Sequence, residues 1–466
     1  VNRELNTAEH VHFIGIGGYG MSAIARVMLE MGYKVSGSDV ARQELTEKLS
    51  AKGAMIYIGH EAKHVDGANL VVYSTALSRD NVERRAAEAL NIPVIHRAQM
   101  LARLMNAGKG IAVAGAHGKT TTSSMIALVM EACGLDPTYI IGGEIVNVGT
   151  NAKAGKGEYV VAEADESDGS FLQYHPAVAI VTNIEADHLE NYDGDFDKLK
   201  AAYVRFLEQV KPDGKAIVCA DDENVRELLP QVSGGGEIVT YAIDADADYQ
   251  ATDIQLGDRK VSFRINKRGA ELGRIKLSVP GKHNVSNALA TVITCLEAGV
   301  PFASIAEAIR SFRGAKRRFQ VLGEVNDMLV IDDYAHHPTE IQATILAAKA
   351  TGKRIIAVFQ PQRYTRTFFL LEQFSRAFSE ADEVVITDIY SPAGEKQIEG
   401  INAGKLVEMI VANSNANTVY QPTKDDVFGY LSERVAPGDL VITMGAGDIW
   451  KVADALAGKL RERYPE

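Results

Sequence analysis

Near-continuous apolar runs bounded by glycine or aspartate recur along the chain, at residues 11–16, 69–74, 111–115, 159–163, 178–183, 216–219, 354–359, 383–388 and 439–444. Stretches of helical periodicity separate them. Strands that are apolar on both faces belong to parallel sheets covered by helices on both sides. The pattern therefore predicts an α/β protein. Residues 248–279 differ, because polar and apolar positions alternate there and helix formers are few. That stretch predicts a short antiparallel insertion.

A chain of 466 residues is too long for one ordinary core. The runs fall into three blocks, predicted as domains at 1–105, 106–314 and 315–466. The first opens with a glycine-rich strand–turn–helix, and so does the second. The third carries predicted strands at 329–332, 354–359, 384–388 and 440–444. The fold class expected is α/β with three domains: a Rossmann-like N-terminal domain, a central P-loop ATPase-type domain whose insertion makes its sheet mixed, and a third α/β domain.

The first glycine turn follows the run 11–16 and reads Gly15-Ile16-Gly17-Gly18-Tyr19-Gly20, ahead of a helix predicted over 21–31. Glycines so placed let the backbone approach a pyrophosphate seated on the helix N-terminus. A second strand is predicted over 33–39, and its last residue, Asp39, stands where a ribose-binding acid belongs. The motif recognises a diphosphate, so NAD and a UDP-sugar fit it equally. Substrate contacts are expected at Gly15, Gly17, Gly18, Gly20 and Asp39, with Ser74 and Thr75 at the end of a neighbouring strand.

The second glycine turn, Gly115-Ala116-His117-Gly118-Lys119-Thr120-Thr121-Thr122, has two fewer residues before Gly-Lys than the usual phosphate loop. The physics is unchanged. Backbone N–H groups cradle phosphate, Lys119 neutralises its outer oxygens, and Thr120 offers a hydroxyl to Mg²⁺. A nucleotide-bound metal also needs carboxylates at neighbouring strand ends. Two runs end that way: one in Glu163, Asp165, Glu166 and Asp168, the next in Glu185, Asp187 and His188. Mg²⁺ prefers oxygen ligands, so His188 leaves Mn²⁺ open as well.

Composition narrows the setting. The formal net charge is −12, and the one dense basic run, Lys316-Arg317-Arg318, is short; this argues against a general nucleic-acid binder. No apolar run approaches the roughly 18–20 residues that span a bilayer, and the polar start of the chain predicts no secretory leader. Cys133, Cys219 and Cys295 are odd in number and widely spaced, which fits reduced thiols in the cytoplasm. The oligomeric state is not encoded in any of these features.

Further ordered motifs lie downstream: Gly281-Lys282-His283-Asn284-Val285-Ser286-Asn287, Arg317-Arg318-Phe319, Asp332-Asp333-Tyr334-Ala335-His336-His337, and Gln360-Pro361-Gln362-Arg363-Tyr364-Thr365-Arg366. Together with Gly115 to Thr122, Glu163 to Asp168 and Thr182 to His188, they resemble the Mur ligases of peptidoglycan synthesis, over essentially the whole chain. The resemblance implies that the first domain binds UDP-sugar and not NAD, that the second binds ATP, and that the third is Rossmann-like and brings in the amino acid. It implies phosphorylation of the lactyl carboxylate of UDP-N-acetylmuramate by ATP, then attack by the amine of L-alanine.

The resemblance also implies residue roles. Gly115, His117, Gly118, Lys119, Thr120 and Thr121 would hold phosphate. Thr120, Glu163 and His188 would ligate metal. His283, Asn284 and Asn287 would contact the nucleotide, as would Arg318 and Asp333, which join Lys119, Glu163 and His188 as catalytic candidates. Apart from the resemblance, His337, Arg363 and Arg366 are expected to face substrate, the arginines as cations suited to a carboxylate or phosphate, and His337, Asp333 or solvent is the candidate to take the amine proton. Sister ligases carry a carbamylated lysine where this chain has Tyr203, so no carbamate is expected. Other readings are a murein peptide ligase, a folylpolyglutamate-type synthetase, an NAD-dependent oxidoreductase and a nucleotide-binding switch. The synthetase lacks a UDP-binding first domain, and the oxidoreductase leaves Lys119, Glu163 and His188 without a role.

Overall fold

The computed structural model describes residues 10–465 apart from 75–76, 168, 188, 258 and 392–394, and without the side chain of Glu190. Three sheets organise it. The first has five parallel strands in the order Met55–Ile58, Lys34–Asp39, His10–Ile14, Leu70–Tyr73 and Val94–His96. Strand order reverses at His10–Ile14, so the turn that follows it opens at a switch point, where such sheets bind ligands. The strand stops at Ile14 because Gly15 takes φ +79°, a left-handed conformation that L side chains rarely adopt. The helix begins earlier than the apolar pattern predicts, at Tyr19–Glu30, and buries Met21, Ile24, Val27 and Met28.

Beneath this sheet lies a buried polar network centred on Glu83. Ser38 Oγ donates to Glu83 Oε2 at 2.5 Å, His12 Nε2 lies 3.2 Å from the same oxygen, and His64 Nδ1 lies 2.7 Å from Oε1. Burial alone would raise the Glu83 carboxyl, but the hydrogen bonds from His12, Ser38 and His64 outweigh it and hold the pKa at about 2. A carboxyl depressed on folding stabilises the fold above its unfolded pKa, near 4.5, and loses that contribution as pH falls towards 2. Glu83→Gln is therefore expected to cost about 3 kcal/mol at pH 7. Urea unfolding should show the gap from wild type narrowing as pH drops below about 4.5.

The second sheet has ten strands, in the order Ala270–Leu277, Lys260–Lys267, Tyr249–Gly257, Glu237–Ala242, Lys215–Cys219, Val178–Val181, Lys109–Ala114, Tyr159–Glu163, Thr138–Ile145 and Thr150–Lys153. The strands around Lys109–Ala114 are parallel, and Thr150–Lys153 at the edge is antiparallel. The predicted insertion forms the three strands at the other edge, with Val261, Phe263 and Ile265 buried on alternate positions, the signature of a sheet covered on one face. Helix Tyr19–Glu30 meets this sheet: Arg26 Nη1 donates to Thr150 Oγ1 at 2.5 Å and Glu30 Oε2 accepts from Ala154 N at 2.9 Å.

The third sheet runs Gln320–Val325, Met328–Asp333, Asp439–Met444, Arg354–Phe359, Glu383–Ile386 and Thr418–Tyr420, antiparallel in its first pair and parallel beyond. Separate apolar clusters cover its two faces, one around Ile331, Phe359 and Phe378, the other around Val330, Val358 and Leu456. The chain divides into two compact units. One holds residues to 252 with 264–275 and 286–312; the other holds 313 onward with 253–263 and 276–285. Among the described residues no helix is long and apolar enough to cross a membrane.

Candidate nucleotide site

Strand Lys109–Ala114 is buried from Gly110 onward and delivers the chain into the second glycine turn at the sheet's ligand edge. Gly115 and Gly118 both take positive φ, +133° and +85°. The turn is laced to the neighbouring strand end. Thr182 Oγ1 and Asn183 Nδ2 donate to His117 O at 2.6 and 3.0 Å, and Asn183 Oδ1 accepts from His117 N at 2.8 Å. Asn183 O takes the Ala116 N–H at 3.2 Å. The apolar run predicted through residue 183 therefore leaves the sheet at Val181, and Thr182 and Asn183 become struts of the loop.

Ala116 and His117 spend their N–H groups on Asn183, whereas the first N–H groups of helix Lys119–Ala132 lack intrahelical partners, the arrangement suited to cradle a phosphate. Gly118 is packed closely: a Cβ there would lie 2.6 Å from Asn287 Oδ1, which also accepts from Thr122 Oγ1 at 3.2 Å. Asn287 thus packs directly against the loop. Gly118→Ala would combine a left-handed backbone with displacement of Asn287. It is expected to lower the melting temperature by about 2–6 °C in a thermal scan.

Lys119 is half-buried and fully engaged. Its Nζ donates to Gly115 O at 2.5 Å and to both Glu166 oxygens at 3.0 Å. Burial disfavours its charge, but Glu166, Asp165 and Glu163 more than restore it, and the ammonium pKa moves up. Asp165 is pulled down, against its burial, by Lys119 and the Ser167 hydrogen bonds. Glu163 ends its strand half-buried, and its Oε1 accepts from Gly142 N at 2.6 Å. A Cβ on Gly142 would stand 2.8 Å from each Glu163 oxygen, so that glycine keeps the space beside the carboxylate open. A half-buried carboxylate on the strand paired with Lys109–Ala114, which leads into the loop that carries Thr120, fits a hard cation such as Mg²⁺.

His188 and Asp168 lie outside the described residues, as does Thr75. His117 Nε2 lies 3.2 Å from Glu185 Oε2. Tyr203 is buried edge-on to Phe171, ring centroids 5.4 Å apart. At the first glycine turn, Asp39 does more than end a strand: its Oδ2 accepts from Gly17 N at 2.8 Å. A Cβ on Gly17 would meet Gln43 Nε2 at 2.0 Å and Asp39 Oδ2 at 2.8 Å. Asp39 therefore shapes the turn that would receive a diphosphate. Ser74 is half-buried just past strand Leu70–Tyr73.

In the second unit, His283 and Asn284 open helix Lys282–Glu297. His283 is itself exposed, but desolvation by the protein around it, then the charge of Arg318, pushes its pKa down to about 4. Asn284 Nδ2 donates to Pro280 O at 2.6 Å. Both Asp333 oxygens accept backbone N–H groups, from Ala335 at 2.7 Å and Phe319 at 2.8 Å, and burial raises its pKa to about 6. Arg318 lies over the Tyr334 ring at 5.3 Å with Nη1 3.4 Å from Glu340 Oε1. His337 occupies the N-cap position of helix Pro338–Lys349 without a side-chain cap bond, Arg363 is exposed at φ +67°, and buried Arg366 donates to Gln362 Oε1 at 3.1 Å.

Fold and site together define a phosphate-loop α/β protein of three domains with a second glycine turn suited to a diphosphate. Three family models match in succession: Mur ligase family, catalytic domain over residues 10–109; Mur ligase middle domain over 113–295; and Mur ligase, glutamate ligase domain over 317–447. The chain belongs to the Mur ligase family. It is 50% identical over 460 residues to a UDP-N-acetylmuramate–L-alanine ligase of Pelotomaculum thermopropionicum, covering 98% of this chain and 99% of that one. It is 47% identical to the ligase of the same name from Symbiobacterium thermophilum, covering 98% and 95%. Among solved structures, the UDP-N-acetylmuramate–alanine ligase of Thermotoga maritima superposes with TM-score 0.80 at 28% identity, over 97% of this chain and 99% of that one. A murein peptide ligase of Psychrobacter arcticus reaches TM-score 0.70 at 26% identity, over 97% and 98%.

Proposed function

We propose that this chain is a cytoplasmic ligase that uses ATP to join L-alanine to the lactyl carboxylate of UDP-N-acetylmuramate, in the making of peptidoglycan precursor. The observation that carries this reading is the match, at half identity and nearly full length on both sides, to ligases of that name. The domains are taken as 1–105 for UDP-sugar, 106–314 for ATP and 315–466 for the amino acid. A lactyl carboxylate oxygen attacks the γ-phosphorus of ATP and ADP leaves. The amine nitrogen of L-alanine, once it has lost its ammonium proton, attacks the acyl carbon. Phosphate departs from the tetrahedral adduct and an amide remains.

The obstacle is repulsion between an anionic carboxylate and an anionic phosphate. Lys119, held protonated, answers it on the protein side, together with the N–H groups at the start of its helix. Thr120, Glu163 and His188 are assigned to Mg²⁺, with Mn²⁺ as an alternative; the metal, when bound, screens the same repulsion. Thr121, Gly115, Gly118 and His117 complete the phosphate loop, and His283, Asn284 and Asn287 are assigned to the nucleotide. In the second unit Arg318 is assigned to the nucleotide, and Arg363 and Arg366 to anionic substrate groups. Asp333, with both oxygens already taken by N–H donors, serves better as a brace than as the amine base. That leaves His337 or solvent for the base. Gly15, Gly17, Gly18, Gly20, Asp39, Ser74 and Thr75 are assigned to the UDP-sugar.

The test is phosphate release from ATP with Mg²⁺ and UDP-N-acetylmuramate, comparing no amine, L-alanine and a tripeptide that begins with L-alanine. Release that requires L-alanine is the expected result. Release with the tripeptide alone would make the chain a murein peptide ligase instead.

A further inference from the structure

In the structure, all three N–H bonds of the Lys119 ammonium are spent inside the protein. One reaches Gly115 O in its own loop at 2.5 Å, and two reach the carboxylate oxygens of Glu166 at 3.0 Å. The same ammonium is the one cation of the loop to which a nucleotide phosphate must bind. Glu166 therefore occupies the position on Lys119 that an incoming phosphate needs. Its backbone is fixed for the purpose: Glu166 O accepts from Tyr192 Oη at 2.5 Å and from Gly169 N at 3.1 Å, with Gly169 at φ +69°. The Glu166 side chain is 6% exposed, so water offers its carboxylate little alternative company.

We infer that Glu166 is a positioning residue that stands in for phosphate on Lys119, and that nucleotide binds by displacing it. The contact keeps the ammonium charged, extended and aimed along the loop while no nucleotide is present. It also weakens nucleotide affinity, since part of the Lys119–phosphate interaction is offset by the broken Glu166 contact, and it thereby speeds release of ADP. A residue whose part was only to hold the fold together would act oppositely: its loss would loosen the loop and weaken binding. The inference rests on the proposed ATP site, and its test separates the two.

The measurement is calorimetric titration of ADP with Mg²⁺ into the full-length wild type and Glu166→Gln, with thermal scans of both. The amide keeps the shape and one acceptor but not the charge. Glu166→Gln is expected to bind ADP about tenfold more tightly than wild type, with no rise in melting temperature in the absence of nucleotide and a lower kcat where ADP release limits turnover. Equal or weaker ADP binding by a folded Glu166→Gln would overturn the inference. Should that variant fail to fold, Glu166→Asp carries the test: its shorter carboxylate reaches Lys119 less well, so tighter ADP binding supports displacement and equal or weaker binding overturns it. A wild type that binds no ADP at all would overturn the ATP reading itself, and this inference with it.

Discussion

Replacing Lys119 with alanine is expected to lower alanine-dependent phosphate release by about a thousandfold or more while UDP-sugar affinity stays within about twofold. The two halves of the prediction come from different parts of the fold. Lys119 sits in the turn after Lys109–Ala114, in the ten-stranded sheet, whereas Gly15, Gly17 and Asp39 belong to the five-stranded one. The glycine turn there is braced by Asp39, whose Oδ2 accepts from Gly17 N, and packs against Gln43. Removing the ammonium leaves Glu166 buried, and burial already raises its pKa, so in the variant the carboxyl gains a proton and the fold survives at some cost in stability. A thermal scan controls for that cost. Loss of UDP-sugar binding in a folded Lys119→Ala protein would contradict the division between the two sites.

Much of this arrangement was legible in the residues, for reasons that differ from place to place. The phosphate loop could be found because a buried strand, two glycines at positive φ and a Lys-Thr pair must lie next to one another in sequence to work at all. The same holds for the turn at Gly15. The central strands of each sheet were visible because both of their faces are buried, whereas half-exposed edge strands such as Met55–Ile58 and Thr418–Tyr420 left no such run. What stayed hidden were partners distant along the chain. Asn183 lay inside an apolar run and looked like strand, yet its amide holds the loop at His117. Glu166 stood among four acids with nothing in the spacing to mark it as the counter-ion of Lys119, which depends on how a turn 47 residues away comes back to the loop. Asp39 and Asp333 were picked out as ligand contacts, and the structure adds structural hydrogen bonds to backbone N–H groups at both.

The adjacent arginines of the third domain show the same limit, and they separate experimentally. In sequence Arg317 and Arg318 are two members of one basic run, and only Arg318 was assigned a role. In the structure Arg317 is an internal brace. Its Nε donates to Asp332 Oδ2 at 2.8 Å, and its Nη1 and Nη2 donate to the carbonyls of Gly447 at 3.0 Å and Gly445 at 2.7 Å. Asp332 is 1% exposed, and burial raises its pKa against the pull of Arg317 and Thr443. Arg317→Ala would strand that carboxylate and two carbonyls together. We expect it to cost about 3–5 kcal/mol in unfolding of this domain, the range for breaking one side of a buried pair. Without the guanidinium the Asp332 pKa climbs further above its unfolded value. A carboxyl raised on folding costs stability as pH increases through that range, so the deficit should be larger at pH 8 than at pH 5, and adding Asp332→Asn should recover part of it. Arg318→Ala is expected to behave in the opposite way, with nearly wild-type stability but greatly reduced phosphate release, because its guanidinium rests on the Tyr334 face and a 3.4 Å contact to Glu340. Equal stability losses in the two variants would mean that both arginines are framework, and that the catalytic part assigned to Arg318 belongs to another residue.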